Sequence, residues 1–189
     1  MGKNISPKDI LDKGLIAGMN ILGEQFRKHE VFIPEVLMAA KAMQAGMVQL
    51  KPLLIKEGVH GLGKIVIGTV HGDLHDIGKN LVGIMLKGAG FEVIDLGKDV
   101  PAEKFVETAI AEDADVIGMS ALLTTTMPTM RKVTELLKEK KPDGTIKTIA
   151  GGAPLSMEIA REFGADAYAY DAASAVERVK MLIGIPTSE

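Results

Sequence analysis

The segment Gly72-Asp73-Leu74-His75-Asp76-Ile77-Gly78-Lys79-Asn80 carries the residues best suited to chemistry, because it follows directly on the apolar run Lys64-Ile65-Val66-Ile67-Gly68-Thr69-Val70. An imidazole is thereby placed on a loop at the end of a strand. Asp73, two residues before His75, can accept a hydrogen bond from one ring nitrogen and fix the tautomer. The other nitrogen is then left to face an electrophile, most simply a metal. His71 lies in the same loop but has Thr69 two residues before it, and reads as structural. His29 and His60 fall in a helical stretch and a linker, without ligand-like neighbours, and read as surface residues.

Composition narrows what this histidine can belong to. With 0 Cys there is no disulfide framework and no thiolate metal site, so soft-metal chemistry would rest on the 4 His residues. A net charge of -3, with Lys scattered among Glu and Asp, lacks the electrostatic footprint of a nucleic-acid binder. The first residues hold no apolar signal core, and no run of about 18 apolar residues follows. A cytoplasmic protein that does not engage membrane is therefore expected.

The elements that must position His75 can be read from periodicity. Ser6-Pro7-Lys8-Asp9 has the form of a helix start, with Ser at the cap, Pro in the first turn and an acid behind it. Leu11, Leu15, Met19, Leu22 and Phe26 then recur at helical spacing. A second helix opens near Pro34-Glu35 with Val36, Ala40, Met43, Met47 and Leu50 on one face. These helices are too few to cover one another, so their faces should pack together and leave surface for another partner. The Met-rich face reads as core, although flexible Met side chains also suit a lid. From Pro52 to Gly63 the period breaks and Gly accumulates, which reads as a linker.

A different rhythm follows. Short β-rich runs at 65–69, 92–96, 115–120, 145–150 and 167–170 alternate with helical stretches near 79–89, 102–112, 128–140, 155–163 and 172–183. Such alternation implies an α/β domain with a flavodoxin-like, five-stranded parallel sheet in the order 2-1-3-4-5. The expected organisation is a short helical cap over 1–56, a linker over 57–63 and a Rossmann-like domain over 64–189. Ligands of this fold bind beyond the carboxyl ends of the strands, at the switch point between strands 1 and 3. The Asp73/His75 loop follows strand 1, Ser120-Ala121-Leu122-Leu123-Thr124-Thr125-Thr126 follows strand 3, and Gly151-Gly152-Ala153-Pro154 follows strand 4. The hydroxyls can bond Asp73 or a ligand, Leu122 offers an apolar contact, and Gly151-Gly152 offers a wall without side chains. Gly72 and Gly78-Lys79 do not have P-loop spacing, and Gly61-Leu62-Gly63 precedes its strand, which excludes the dinucleotide fingerprint.

Asp73-Leu74-His75-Asp76-Ile77-Gly78, then Ser120-Ala121-Leu122, then Gly151-Gly152 resembles the three-part signature Asp-x-His-x-x-Gly, Ser-x-Leu and Gly-Gly of the cobalamin-binding domain. The resemblance covers Lys64 to about Ile185. The preceding helices, with Phe32-Ile33-Pro34-Glu35 and Ala39-Ala40-Lys41-Ala42-Met43, are similar to the helical cap of corrinoid proteins that shuttle methyl groups. The resemblance implies cobalamin or a related corrinoid as cofactor, passing between cob(I)alamin and methylcobalamin. His75 would be the lower axial ligand of cobalt in place of the cofactor's own base, Asp73 would accept its other N–H, and Thr126 would complete that relay. Ser120 and Thr124 would face the displaced nucleotide tail and Leu122 would pack on it. Gly151, Gly152 and Ala153 would let the tail pass, with Asp76 and Gly78 completing the binding loop.

The function so implied is that of a non-catalytic carrier. It would need a substrate-specific methyltransferase, an acceptor methyltransferase using tetrahydrofolate or a thiol, and a reductive activase. The helical half is shorter than the family's usual cap, which has an additional leading helix. That difference implies upper-face cover that is incomplete, supplied by a second subunit or lost through truncation. The alternatives are a cobalamin-dependent regulator, which usually carries a DNA-binding element, and a small mutase subunit, which needs a substrate barrel. The sequence shows neither a basic recognition helix nor such a barrel.

Overall fold

Ser6 opens the first helix as its sequence implies: its hydroxyl accepts the Asp9 N–H at 3.0 Å, and Pro7 takes the first helical position. The computed structural model describes residues 5–58 and 61–186. The expectation for His60 lies outside them. The first helical stretch begins as α1 (Pro7–Asp9), widens into a π-helical segment (Ile10–Ile16) and continues as α2 (Ala17–Arg27). The widened turn changes which residues share a face. Leu11 and Ile16 are buried, while Leu15, which the simple helical period places in the stripe, is only half-buried.

Helix α3 (Ile33–Lys56) runs straight through Pro52, so the break in pattern at that residue is not a break in structure. Proline deprives the turn before it of one N–H donor. Val48, four residues earlier, is exposed, and the buried Leu50 and Leu54 hold both sides of the proline against the cap core. The helix ends at Glu57-Gly58, where Gly58 turns into the left-handed region at φ 68°. Leu11, Ile16, Met19, Met43, Leu50 and Leu54 form the core of the cap.

The domain that follows alternates β1 (Lys64–Thr69), α4 (Ile77–Gly88), β2 (Glu92–Asp95), α5 (Ala102–Ala111), β3 (Val116–Ser120), α6 (Pro128–Lys140), β4 (Lys147–Gly151), α7 (Met157–Glu162), β5 (Ala167–Ala169) and α8 (Ala172–Leu182). All pairings are parallel and the strand order is β2-β1-β3-β4-β5, the flavodoxin-like order. Strand residues alternate between two cores. Ile65, Ile67, Val116 and Ile149 pack with α4 and α8, whereas Val66, Ile117 and Met119 pack with α5 and α6. The cap is seated on the first of these faces. Val36 of α3 is fully buried within that core, and Gly88 of α4 lets Met19 of α2 approach so closely that a Cβ there would stand 2.5 Å from the Met19 methyl.

Gly68 serves the opposite face. A Cβ at this position would lie 2.7 Å from Cζ of Phe105, a ring with 0% exposure that fills the space between β1 and α5. Gly68→Val therefore overpacks the strand just before the His75 loop and is expected to cost about 1–3 kcal/mol. Urea unfolding of the parent and variant chains measures this; equal midpoints would contradict the packing argument.

Candidate functional site

The loop after β1 is organised around Asp73, whose side chain is fully buried. Its Oδ1 accepts the backbone N–H of His75 at 3.0 Å and faces the His75 ring Nδ1 at 2.8 Å. A carboxylate can only accept, so Nδ1 carries the proton and Nε2 presents its lone pair outward. Oδ2 accepts the N–H groups of Leu122 at 2.7 Å and Leu123 at 3.0 Å, and lies 3.1 Å from the Thr126 hydroxyl. That hydroxyl also lies 2.8 Å from the Leu123 carbonyl, so its single proton serves one acceptor at a time. Burial pushes the Asp73 carboxyl upward, but the donors from His75, Leu122 and Leu123 outweigh it and hold the group well below the usual carboxylate range. The stabilisation this represents is complete above the ordinary carboxylate range and is lost as pH falls through the lowered value.

The tie fixes the relative position of two strand ends. Asp73 belongs to the loop after β1, its donors to the turn after β3, and these are the neighbouring strands at which the chain changes direction across the sheet. The His75 ring is 52% exposed, standing at the mouth of the gap they leave. Behind it a cleft of about 570 Å³ runs between the sheet and helices α4 and α8. Ile65, Ile67, Leu81, Leu86, Ile149 and Val179 form its apolar wall, and Phe26 reaches it from the cap. Asp76, Gly78, Ser120, Leu122, Gly151, Gly152 and Ala153 all line the cleft beside His75. Asp73 and Thr126 stand behind the ring and are not part of the cleft lining. Thr124 does not line the cleft: the turn that aims the Leu122 and Leu123 amides at Asp73 leaves it exposed to solvent.

Other cleft residues escape sequence reading. Gly118 in β3 lies between Ile67 and Ile149, and a Cβ there would meet the Ile67 Cγ2 at 3.1 Å. Its only signal is a glycine inside an apolar strand. Lys79, at the start of α4, also borders the cleft. It is buried and bonds the two Asp95 oxygens at 2.6 and 2.5 Å and Asn80 Oδ1 at 2.6 Å, which pins α4 to β2. Gly152 is needed for an internal reason. With φ at 139°, a Cβ would fall 1.8 Å from the Ala121 carbonyl oxygen, so the loops after β3 and β4 approach each other too closely for any side chain. His71 does find a carboxylate, not within its own loop but from Asp99, 2.8 Å from Nδ1. His29 is exposed in the turn between α2 and α3, at φ 59°.

Among the described residues no three His, Cys, Asp or Glu side chains come together to hold an ion. A single outward-facing imidazole suits a metal that arrives already ringed by other donors, and the cleft behind it, floored by a glycine and walled by aliphatic chains, suits a bulky appendage. Fold and site together define a cofactor-binding α/β domain of that kind. The chain belongs to the B12 binding domain family: the family model matches residues 63–180, and a second B12 binding domain model matches residues 1–51.

Dimethylamine corrinoid protein 1 of Methanosarcina acetivorans is 49% identical over 180 residues, 95% of this chain and 84% of that protein. Among solved structures, the methanol:cobalamin methyltransferase complex MtaBC of Methanosarcina barkeri matches with a TM-score of 0.83 and 32% identity, over 96% of this chain and 69% of that one. A cobalamin-binding protein of Desulfitobacterium hafniense matches with a TM-score of 0.77 and 35% identity, over 93% of this chain and 82% of that one.

The Asp73 network makes a graded prediction for the ligand-free chain. Asp73→Ala leaves one buried and several part-buried donors without an acceptor and is expected to cost about 3 kcal/mol, whereas Thr126→Val removes one hydrogen bond and is expected to cost about 1 kcal/mol. Denaturant unfolding of both variants reads the difference, and similar losses would contradict the central place of the carboxylate.

Proposed function

We propose that this chain is a corrinoid methyl-group carrier that binds cobalamin or a related corrinoid with His75 Nε2 as the lower axial ligand of cobalt. The observation that carries the reading is the continuity of the carboxylate-held imidazole with the apolar cleft behind it: one proton-fixed nitrogen at the mouth, and room for a bulky tail beyond. Asp73 keeps the proton on Nδ1, so Nε2 remains available as a donor. Ser120 offers a hydroxyl at the cleft wall, Leu122 an apolar surface at the mouth, and Asp76, Gly78, Gly151, Gly152 and Ala153 complete the lining. When bound, the corrinoid supplies a cobalt centre that takes up a methyl group and gives it away.

The relatives are corrinoid proteins by name, and one structural match belongs to a methanol:cobalamin methyltransferase complex. Both support a division of labour in which this chain presents the cofactor and other proteins act on it. In this reading the chain is not an enzyme on its own. A substrate-specific methyltransferase loads it, an acceptor methyltransferase with tetrahydrofolate or a thiol unloads it, and a reductive activase restores it. No helix among the described residues is long and apolar enough to cross a membrane. A cytoplasmic setting belongs to the same proposal.

Reconstitution with hydroxocobalamin tests the ligand. The parent chain is expected to bind with a shift in the visible spectrum, and His75→Ala to bind at least about tenfold more weakly with that shift lost. Unchanged affinity and spectrum in the variant would refute axial ligation. Titanium(III) reduction followed by labelled methyl donors, with and without a partner methyltransferase, separates carrier from sensor: a carrier takes up the label and passes it on.

A further inference from the structure

Asp99 sits in the turn between β2 and α5, outside the cleft, yet it grips the His75 loop at several points. Its Oδ1 accepts the Gly72 N–H at 2.7 Å and faces the His71 Nδ1 at 2.8 Å. Its own N–H donates to the Asp73 carbonyl at 3.1 Å. On either side the main chains are laced together, with the Thr69 N–H donating to the Gly97 carbonyl and the Val100 N–H to the Thr69 carbonyl, both at 2.9 Å. Asp73 is thus held twice: its carboxylate by the turn after β3, and its main chain by Asp99.

Asp99 adopts φ 57°, a left-handed conformation that glycine takes freely and aspartate only against resistance. A turn that needed only the backbone shape would be better served by glycine, so what aspartate adds is the carboxylate. Stability does not account for that carboxylate. The His71 and Asp99 side chains are 66% and 49% exposed, and a contact between polar groups in such a setting contributes little. Geometry does: with Gly72 and Asp73 both fixed, the two residues from Asp73 to His75 have little freedom left. The Thr69 hydroxyl, donating to the His75 carbonyl at 3.2 Å, closes the loop from its far end.

We infer that Asp99 is a positioning residue for His75, which clamps the loop from the β2 side and so sets the direction in which Nε2 points. The inference rests on the reading of His75 as the axial ligand. His71 is the outer brace of the clamp, turning the Asp99 carboxylate toward Gly72.

Two substitutions isolate the effect. Asp99→Gly tolerates the backbone conformation and removes the carboxylate; Asp99→Asn tolerates it nearly as well and keeps an oxygen to accept the Gly72 N–H. In the ligand-free chain, hydrogen exchange at the Gly72 and His75 amides is expected to speed up in Asp99→Gly and to stay near the parent rate in Asp99→Asn, with unfolding midpoints close to the parent's. After loading with methylcobalamin, Asp99→Gly is expected to bind about tenfold more weakly and to shift the visible spectrum from the histidine-ligated toward the unligated form, while Asp99→Asn restores ligation. Parent-like exchange and ligation in Asp99→Gly overturn the inference, as does an asparagine variant as impaired as the glycine one. Should the parent and His75→Ala give the same spectrum, the axial-ligand reading has failed instead, and exchange in the ligand-free chain still decides whether Asp99 holds the loop.

Discussion

A carboxylate taken out of water must find donors, and Asp73 finds them on two sides of the sheet's switch point. The loop after β1 supplies the His75 amide and ring, and the turn after β3 supplies the Leu122 and Leu123 amides with the Thr126 hydroxyl. Because burial penalises the charge, the donors cannot drift away without leaving it unpaired. The same requirement holds the strand ends together and orients the imidazole. The tie between the strand ends and the hold on the His75 ring share one carboxylate.

The cleft depends on that arrangement from the other direction. Its walls are the aliphatic residues that β1, β3 and β4 turn toward α4 and α8, and its floor is kept open at Gly118, where any larger residue would meet Ile67 and Ile149. Apolar walls alone would accept many ligands. Polar groups gather at its edges, with His75, Asp76 and Ser120 at the mouth, Lys79 at the start of α4 and Tyr170 and Asp171 before α8, around a largely aliphatic interior.

Much of this is legible in the sequence, and the reason is locality. The spacing of Asp73 and His75 places carboxylate and ring within one short turn, and the apolar runs of a parallel sheet announce its strands to within a residue or two. What cannot be read are bonds made by the main chain and by distant loops. The Leu122 and Leu123 amides have no side-chain signature, and Asp99 lies 27 residues beyond Gly72, whose N–H it accepts. Thr124 and Thr126 look equivalent by residue type, and only the path of the turn separates an exposed hydroxyl from a buried one. Pro52 misleads for a related reason: packing of Leu50 and Leu54 outweighs the lost hydrogen bond, and local preference yields to tertiary contact.

Phe26 places the end of α2 in the cleft wall, alongside Leu86 and Val179. Among the described residues lining the cavity it is the one contributed by the cap, so the far boundary of the cleft belongs to both parts of the chain. The α/β domain is consequently not an interchangeable cassette. A chimera that joined it to a foreign cap would inherit the rim chemistry intact but would acquire a chamber of different depth.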